Sequence, residues 1–332
     1  MRGGGRVIDY VSLYTNVEIP SKEFSTFKWN VYENERGEYY QRTINSVLIR
    51  YFPNTHRLDI RGKLILLLHD TRVLNVDDIY GSDVERFLDE VNRKISGLFQ
   101  TVKIDVRSFI TSRIDYCFNV KTPFVETYIS FLDRAFKAVN NGHRTNFCEE
   151  RGENGSVYVK PTGEYKANAR KSYTLNFYNK LDWLKKQQEQ GQRFNERDIQ
   201  CAGNVLRLEV QCSFTRIQKV SESRKFGDLY SFKTAVDEIS KVYRLVFKGD
   251  AEQRFYKYKT AKNLLPKSKA REVLELSAEG HVVTDSRYRY AVQKIKDTGI
   301  YPYCFLPTKF NMDVLPNPIE LIELKLKDIE VI

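Results

Sequence analysis

Three segments of the chain alternate apolar and polar residues with the period of a β-strand. They are "SRIDYCFNV" (112–120), "SYTLNFYNK" (172–180) and "NVLRLEVQCSF" (204–214). Successive side chains of a strand point to opposite faces, so each segment has one apolar and one polar face. The polar faces carry Arg113, Asp115, Cys117 and Asn119; Asn176, Tyr178 and Lys180; and Arg207, Glu209 and Gln211. Neighbouring positions in an antiparallel sheet would bring these groups together in one open groove.

The other periodic segments predict further strands and two helices. Residues 46–52 and 57–69 read as neighbouring strands around the turn "PNTH", with the apolar run "LILLL" (64–68) as a buried strand. A capping box at Ser82 and Glu85 opens one amphipathic helix, and the pair Thr122-Pro123 opens a second. A polar, helical stretch follows the segment at 172–180, and the chain beyond residue 220 is helical and basic.

These elements predict an α+β fold. A central antiparallel sheet backed by helices on one side forms one domain over residues 1–218, and residues 219–332 form a second, mostly helical and basic one, an accessory or DNA-binding region. The length of 332 residues fits two domains.

The charge distribution indicates a polyanionic partner. The chain carries 54 basic and 43 acidic residues, a net charge of +11, and residues 216–298 hold 19 of the basic and 11 of the acidic ones. Aromatic residues are interleaved with the cations there, as in "RFYKYKTAK" and "SRYRYAVQKIK", which suits phosphate contacts and base stacking. Nucleic acid is the first expectation, and a merely basic soluble protein is the plain alternative.

Several classes of protein are excluded by what the sequence lacks. No apolar run reaches the roughly 18 residues of a membrane span, and the first ten residues lack the apolar stretch of a signal peptide. Five cysteines without a CxxC pair argue against a disulfide framework or a zinc ribbon, so we expect a cytoplasmic protein. The four histidines never form a His-hydrophobe-His pair, which argues against a two-histidine metal site.

The polar faces contain the groups that a tyrosine nucleophile needs. A phenol with a pKa of about 10 must be activated to attack a phosphate near neutral pH. Asp115 and Glu209 offer hard carboxylate oxygens for Mg²⁺ or Mn²⁺, and such a cation withdraws charge from the scissile phosphate. Lys180 would stabilise the phenolate or the transition state. The competing interpretation is ordinary cross-strand electrostatics on a half-buried sheet.

The order of these motifs resembles a family of replication proteins. "VIDYVSLYTNVEIP", "DIRGKLILLLHDTRVLNVDDIYGSD", "SRIDYCFNV", "LNFYNK" and "LRLEVQC" appear in an order similar to rolling-circle replication initiators of the filamentous-phage gene-two type. They are more distantly similar to plasmid replication-trans initiators and to relaxases of integrative elements. The resemblance spans roughly residues 7–215. It implies a metal-dependent enzyme that nicks one strand of origin DNA, stays linked to the 5′-phosphate through tyrosine, and religates the displaced strand.

Carried onto this chain, the resemblance makes Tyr178 the nucleophile, Lys180 its neighbour, and Asp115 and Glu209 the ligands of Mg²⁺ or Mn²⁺. Asn179 departs from the pattern, because relatives often have an acid there, and a third carboxylate ligand is therefore in doubt. The second candidate nucleophile is Tyr158, which also lies on a polar strand face beside a lysine.

The remaining polar and basic residues are predicted to contact DNA, and the C-terminal region resembles a helix-turn-helix with "DSRYRYAVQKIK" as its recognition helix. The predicted contacts are Arg113, Asn119, Asn176, Arg207, Arg287, Arg289 and Lys294. A basic solvated helix is the alternative for that segment. Origin DNA is the expected partner, with a host helicase and a second copy of the chain as further candidates. Two functions stay open beside the nicking enzyme: a non-catalytic DNA-binding protein, and a hydrolytic nuclease without a covalent intermediate.

Overall fold

The computed structural model describes residues 8–25, 29–35, 37–69, 71, 80, 83–140, 147–151, 157–161, 172–248, 251–265, 269–278, 288–302 and 305–323. Ten strands form one large sheet, and two short strands form a second. The strands are β1 (Ile8–Asn16), β2 (Asn30–Asn34), β3 (Gly37–Ile44), β4 (Val47–Phe52), β5 (Arg57–Gly62), β6 (Ile110–Lys121), β7 (Phe147–Arg151), β8 (Val157–Pro161), β9 (Tyr173–Asn179), β10 (Val205–Ser213), β11 (Phe255–Tyr256) and β12 (Val314–Leu315).

The large sheet is antiparallel throughout, in the order β2-β3-β4-β5-β1-β6-β10-β9-β8-β7. The first strand of the described chain therefore lies inside the sheet. It separates a meander of β2 to β5 on one side from β6 and its neighbours on the other. The three strands singled out by their alternation, β6, β10 and β9, are direct neighbours, as the sequence predicts.

One face of the sheet is apolar and is covered by helices. The helices are α1 (Val84–Ser96), α2 (Val125–Asn140), α3 (Lys180–Glu189), α4 (Glu196–Ala202), α5 (Phe214–Val220), α6 (Phe226–Leu229), α7 (Phe232–Phe247), α8 (Tyr258–Leu264), α9 (Lys269–Ala278) and α10 (Arg289–Asp297). Helix α2 packs on β9 and β10, and α7 packs on β6 and β10. Their apolar residues share a core with Tyr116, Phe118, Leu208 and Phe177. The predicted α+β fold, a sheet backed by helices, is confirmed.

Two local predictions need correction. The run at 64–68 is not a strand, because residues Leu64–Leu67 form a 3-10 helix. Strand β5 ends at Gly62, whose φ of +141° turns the chain, and a Cβ there would lie 3.0 Å from the Cα of Val47. Helix α1 is capped by Asp83, whose side chain accepts from the backbone N–H of Arg86 at 3.1 Å, whereas the predicted capping residue Ser82 lies outside the described residues.

The C-terminal third contributes to two cores. Helix α7 belongs to the main core, and the Tyr128 hydroxyl donates to the carbonyl of Pro316 at 2.9 Å. A smaller second core gathers residues from α8, α9 and α10 around Val273, Leu274 and Ile295. The boundary at residue 218 stays a prediction, since much of the following segment packs on the sheet. Among the described residues, none of the helices combines the length and the apolar character that crossing a membrane demands.

Candidate functional site

The polar faces of β6, β10 and β9 meet at the middle of the sheet. Glu209 lies opposite Asn176, and Arg207 lies opposite Tyr178. Asp115 on β6 is diagonal to Glu209 across the β6–β10 pair. The alternation in the sequence thus predicts correctly which side chains share this face.

The predicted open groove is wrong, because the central side chains are enclosed. Asp115 is 3% exposed, Glu209 is 6% exposed and Tyr178 is 5% exposed. Burial strengthens every charge interaction among them relative to a solvent-exposed groove.

Glu209 is the hub of the hydrogen bonds. The Tyr178 hydroxyl donates to its Oε2 at 3.3 Å, while Asn176 and Gln211 donate to its Oε1 at 3.3 Å and 3.0 Å. The Nε of Arg207 lies 3.5 Å from Oε2. The proposed nucleophile and one proposed metal ligand are therefore in direct contact.

Lys180 does not extend the strand. Strand β9 ends at Asn179, whose side-chain oxygen accepts from the backbone N–H of Leu181 at 3.0 Å and caps α3. Lys180 is the first residue of that helix, so its predicted place on the polar strand face is corrected. It is nonetheless buried, with its ammonium 3.9 Å from the ring centroid of Trp183 and 5.9 Å from that of Tyr178.

Burial favours the neutral forms of both Lys180 and Tyr178. Desolvation, with the charges of Arg207 and Lys63, holds the pKa of Lys180 well below its ordinary value. Desolvation also raises the pKa of Tyr178 well above its ordinary value, although Arg207 works in the opposite direction. The Tyr178 hydroxyl donates to Glu209, whereas the Lys180 nitrogen lies 5.9 Å from the centroid of the tyrosine ring.

An ion pair that the sequence analysis missed lies beneath these groups. The Nη2 of Arg207 is 2.7 Å from Oδ1 of Asp9, and the Nζ of Lys63 is 3.2 Å from the same oxygen. The pairing of β1 with β6 shifts register between Ile8 and Tyr10, which places Asp9 at a β-bulge. Burial acts to raise the pKa of Asp9, but Arg207, Lys63 and Lys180 together hold it well below the usual range. The only sequence signal was an acid inside the apolar stretch "VIDYV".

Asp115 is a buried carboxylate whose charged form is destabilised. Arg113 donates to its two oxygens at 2.8 Å and 2.6 Å. Burial nevertheless raises the pKa of Asp115 to about 7, and the negative charges of Glu209 and Asp9 act in the same direction against Arg113. A further positive charge beside Asp115 would therefore lower the free energy of its ionised form.

The side chains of the site offer oxygen atoms, the ligand type that a hard divalent cation prefers. No group of three or more His, Cys, Asp and Glu residues with metal-binding geometry occurs among the described residues. Asp115 and Glu209 supply carboxylates, however, and the side-chain oxygens of Asn119 and Asn176 are buried without a hydrogen-bond partner in the described part of the chain. Carboxylate and amide oxygens are ligands that Mg²⁺ and Mn²⁺ accept, so the donor types fit such an ion. Asp115 and Asn119 are four residues apart on β6, about 13 Å at ~3.3 Å per residue, so they would not bind one ion together. Asp115 and Glu209 stay the proposed ligands.

The other predicted DNA-contacting residues differ in exposure and in the element that carries them. Arg207 is fully buried, whereas the Arg113 side chain is 44% exposed at the rim of the site. Arg289 begins α10, and Lys294 follows with its ammonium 5.2 Å from the ring centroid of Tyr290. Arg287 lies outside the described residues. The second candidate nucleophile, Tyr158, pairs with Asn176 across β8 and β9, and its side chain is also outside the described part.

Comparisons with known proteins give one loose match. No protein-family model and no curated protein matches the chain. A solved structure of a rolling circle replication initiator protein from Geobacillus stearothermophilus superposes with a TM-score of 0.36 at 10% sequence identity. The superposition covers 73% of this chain and 85% of that chain. A superposition this loose assigns neither a family nor an activity to the chain.

Proposed function

We propose that this protein is a metal-dependent DNA nicking and joining enzyme that initiates rolling-circle replication. The observation that carries the proposal is the contact between Tyr178 and Glu209, in which the hydroxyl oxygen lies 3.3 Å from Oε2. The order of sequence motifs similar to gene-two-type initiators supports the same activity. Origin DNA is the proposed substrate, and a host helicase and a second copy of the chain are further proposed partners in the cytoplasm.

In the proposed reaction the phenolic oxygen of Tyr178 attacks a backbone phosphorus atom. A phosphotyrosyl bond forms at the 5′ side, the bond from phosphorus to the 3′ oxygen breaks, and the strand leaves as a 3′-hydroxyl. Attack by a 3′-hydroxyl on the phosphotyrosine reverses these changes and joins the strand. When bound by Asp115 and Glu209, Mg²⁺ or Mn²⁺ would supply positive charge to the phosphate oxygens.

The buried cations of the site have distinct proposed roles. Lys180, held toward its neutral form and with its nitrogen 5.9 Å from the centroid of the Tyr178 ring, is the proposed acceptor of the phenolic proton once the hydroxyl turns away from Glu209. Arg207 keeps its charge beside Asp9 and, from its buried position, stabilises negative charge on the phenolate. Because Tyr178 is almost fully buried, a phosphate reaches its hydroxyl only after neighbouring side chains move aside.

The direct test uses a pool of randomised, 5′-labelled and 3′-labelled single-stranded oligonucleotides with Mn²⁺. A denaturing gel should show label from the 3′ end migrating with the protein, since the 5′-phosphate of the downstream fragment is attached. Sequencing the attached strands would define the nicked site. If no label stays with the denatured protein while Mn²⁺-dependent cleavage is clear, the covalent mechanism is refuted.

The burial of Tyr178 favours one second candidate, a hydrolytic nuclease. Burial raises the pKa of the Tyr178 hydroxyl, which makes the phenol a poor nucleophile, and a water would attack the phosphate in its place. This enzyme would release a free 5′-phosphate and leave the protein unlabelled in the same gel. A protein that binds the pool but never cleaves it would be the non-catalytic DNA-binding protein.

A further inference from the structure

The polar face of the sheet continues from the carboxylate site across β1 and β5 to the outer strand β2. Five side chains on this face follow one another from strand to strand, and we call them the aromatic row: Tyr32, Tyr39, Phe52, Arg57 and Tyr14. They form no part of the site described above, and their alternation in β1 to β5 places them opposite the helix-covered face.

Each member of the aromatic row contacts the next. The rings of Tyr32 and Tyr39 stack with centroids 5.5 Å apart, and those of Tyr39 and Phe52 stack at 5.2 Å. Phe52 lies opposite Arg57 across the β4–β5 pair. The guanidinium of Arg57 lies 4.3 Å from the ring centroid of Tyr14. Four strand spacings, about 19 Å, separate the ends of the row.

The row lies at the surface, with cations beside it. Tyr32 is 42% exposed, and the side chains of Arg57 and Arg61 are 36% and 39% exposed. The buried carboxylate of Asp59 accepts from Arg57 at 2.6 Å and from Arg61 at 2.8 Å, which fixes both guanidiniums on this face. Arg50, opposite Asp59, adds a third arginine, so positive charge prevails here.

A cavity adjoins the half of the row that lies nearest β1, where Phe52, Arg57 and Tyr14 line it. It has a volume of about 360 Å³ and is bordered by Tyr14, Phe52, Asn54 and Arg61. Cavities of this size accept small ligands, and an unstacked base is a ligand of that class. Flat rings, interleaved arginines and a cavity between them are what a single strand requires, because only unpaired bases offer their faces for stacking.

The row also leads toward the carboxylate site. Tyr14, Ser12 and Tyr10 follow one another on the same face of β1, and Tyr10 lies opposite Asp115. The guanidinium of Arg113 lies 4.8 Å from the ring centroid of Tyr10, which repeats the pairing of Arg57 with Tyr14. A strand stacked on the row would therefore continue into the site along β1.

We propose that the aromatic row binds single-stranded DNA by base stacking and guides it to Asp115 and Tyr178. The row is long enough for about four nucleotides, the lower end of the site sizes known for single-strand-binding folds. The path to Asp115 and Tyr178 rests on the proposed function, whereas binding of single strands by the row does not.

The test measures binding of fluorescent dT15 by anisotropy in EDTA, where no cleavage interferes. The variant Tyr39→Leu/Phe52→Leu keeps apolar bulk but removes two ring faces, and we expect about 5- to 150-fold weaker binding for each stacked base lost. Arg57→Ala should weaken binding and flatten the dependence of log affinity on log salt by about 0.7. Arg86→Ala is the matched control. Arg86 also bonds a carboxylate, Glu90, and lies 5.6 Å from the Tyr80 ring centroid, but it belongs to α1.

Unchanged dT15 affinity in the double variant, with its melting curve intact, would overturn the proposal. Equal losses for dT15 and for a duplex of the same length would also overturn it, because the row would then act as a plain cationic patch. Formation of the covalent adduct is scored separately at saturating DNA. If the protein forms the adduct but the row variants bind dT15 as tightly as wild type, only the proposed DNA path is refuted. If the row variants bind dT15 more weakly but wild type forms no adduct, only the nicking mechanism is refuted.

Discussion

Arg207 and Asp9 form an ion pair of 2.7 Å at the centre of the sheet, with the arginine wholly shielded from solvent. The pair joins β10 to β1, two strands that are separated by β6 in the sheet. Arg207 therefore links β10 to β1 inside the site, and its guanidinium does not reach the surface.

Breaking this ion pair should destabilise the protein strongly. Arg207→Met leaves the Asp9 carboxylate, whose side chain is 24% exposed, with Lys63 as its remaining close cation. Breaking a fully buried pair typically costs about 3–5 kcal/mol, and the partial exposure of Asp9 places the expected loss at or below the lower end of that range. Urea unfolding should show this loss, and Asp9→Asn/Arg207→Met should recover part of it. The exposed Arg86→Met serves as the control. A loss under 1 kcal/mol for Arg207→Met would contradict the structural role.

The tyrosine assignment can be tested with variants that lose only a hydroxyl. Tyr178→Phe should abolish the covalent adduct while oligonucleotide affinity stays within about twofold, and it should cost only about 1 kcal/mol of stability through the lost bond to Glu209. Tyr158→Phe should still form the adduct. The reverse pattern in the denaturing gel would transfer the role to Tyr158.

The proposed ligands predict a metal phenotype that is separate from binding. Asp115→Asn and Glu209→Gln each remove a charged oxygen donor, so each should raise the Mn²⁺ concentration for half-maximal cleavage at least tenfold or abolish cleavage. Asp237→Asn, an exposed carboxylate on α7, is the control. Identical Mn²⁺ titrations for wild type and both site variants would discard this ligand pair.

Asp115 should make the metal-free protein less stable as pH rises. Its pKa of about 7 lies above the value of about 3.9 expected in the unfolded chain, so the folded state binds the proton more tightly between these values. Stability contributed by this group is complete below pH 4 and is lost as pH rises to 7, by roughly 2–4 kcal/mol. Urea midpoints in EDTA should fall over that window in wild type and fall less in Asp115→Asn. Parallel curves would refute the raised pKa.

A chain that ends near residue 220 should fail to fold cooperatively. It would lose α7, and with it Ile239, Val242 and Val246, which cover the apolar face of β6 and β10. It would also lose the carbonyl of Leu229, which accepts from the buried Tyr116 hydroxyl at 3.1 Å. Circular dichroism and urea unfolding would check this. A sharp transition in the truncated chain would instead establish an independent domain at the predicted boundary of residue 218.

The parts of the structure that follow from period-2 alternation were predictable. The faces of β6, β9 and β10 are confirmed because a half-buried strand fixes which residues point inward. The run at 64–68 was not predictable in this way, since a short apolar run has no periodicity to separate a strand from a helix. Its outcome depends on Gly62, where the backbone turns out of the sheet.

The remaining errors at the site have physical causes as well. Lys180 continues the alternation of β9 in sequence, but the cap by Asn179 ends the strand one residue earlier. Asp9 was missed because a bulge is a property of two paired strands, and one strand's sequence does not reveal its partner's register. Burial of Tyr178 likewise depends on what packs over the face, which no local pattern records.

The internal position of β1 has a consequence for the order of events during synthesis. Its residues leave the ribosome before every strand they pair with, and Ser12 must wait for Ser112, 100 residues later, whose hydroxyl donates to its carbonyl at 3.0 Å. Hydrogen bonds to β5 can form earlier, so the meander carrying the aromatic row can assemble first, with an unpaired edge on β1. The pairing of β1 with β6 joins residues that are far apart in sequence, so we expect it to be a slow folding step. Until it forms, the free edge of β1 can pair with a strand of another nascent chain.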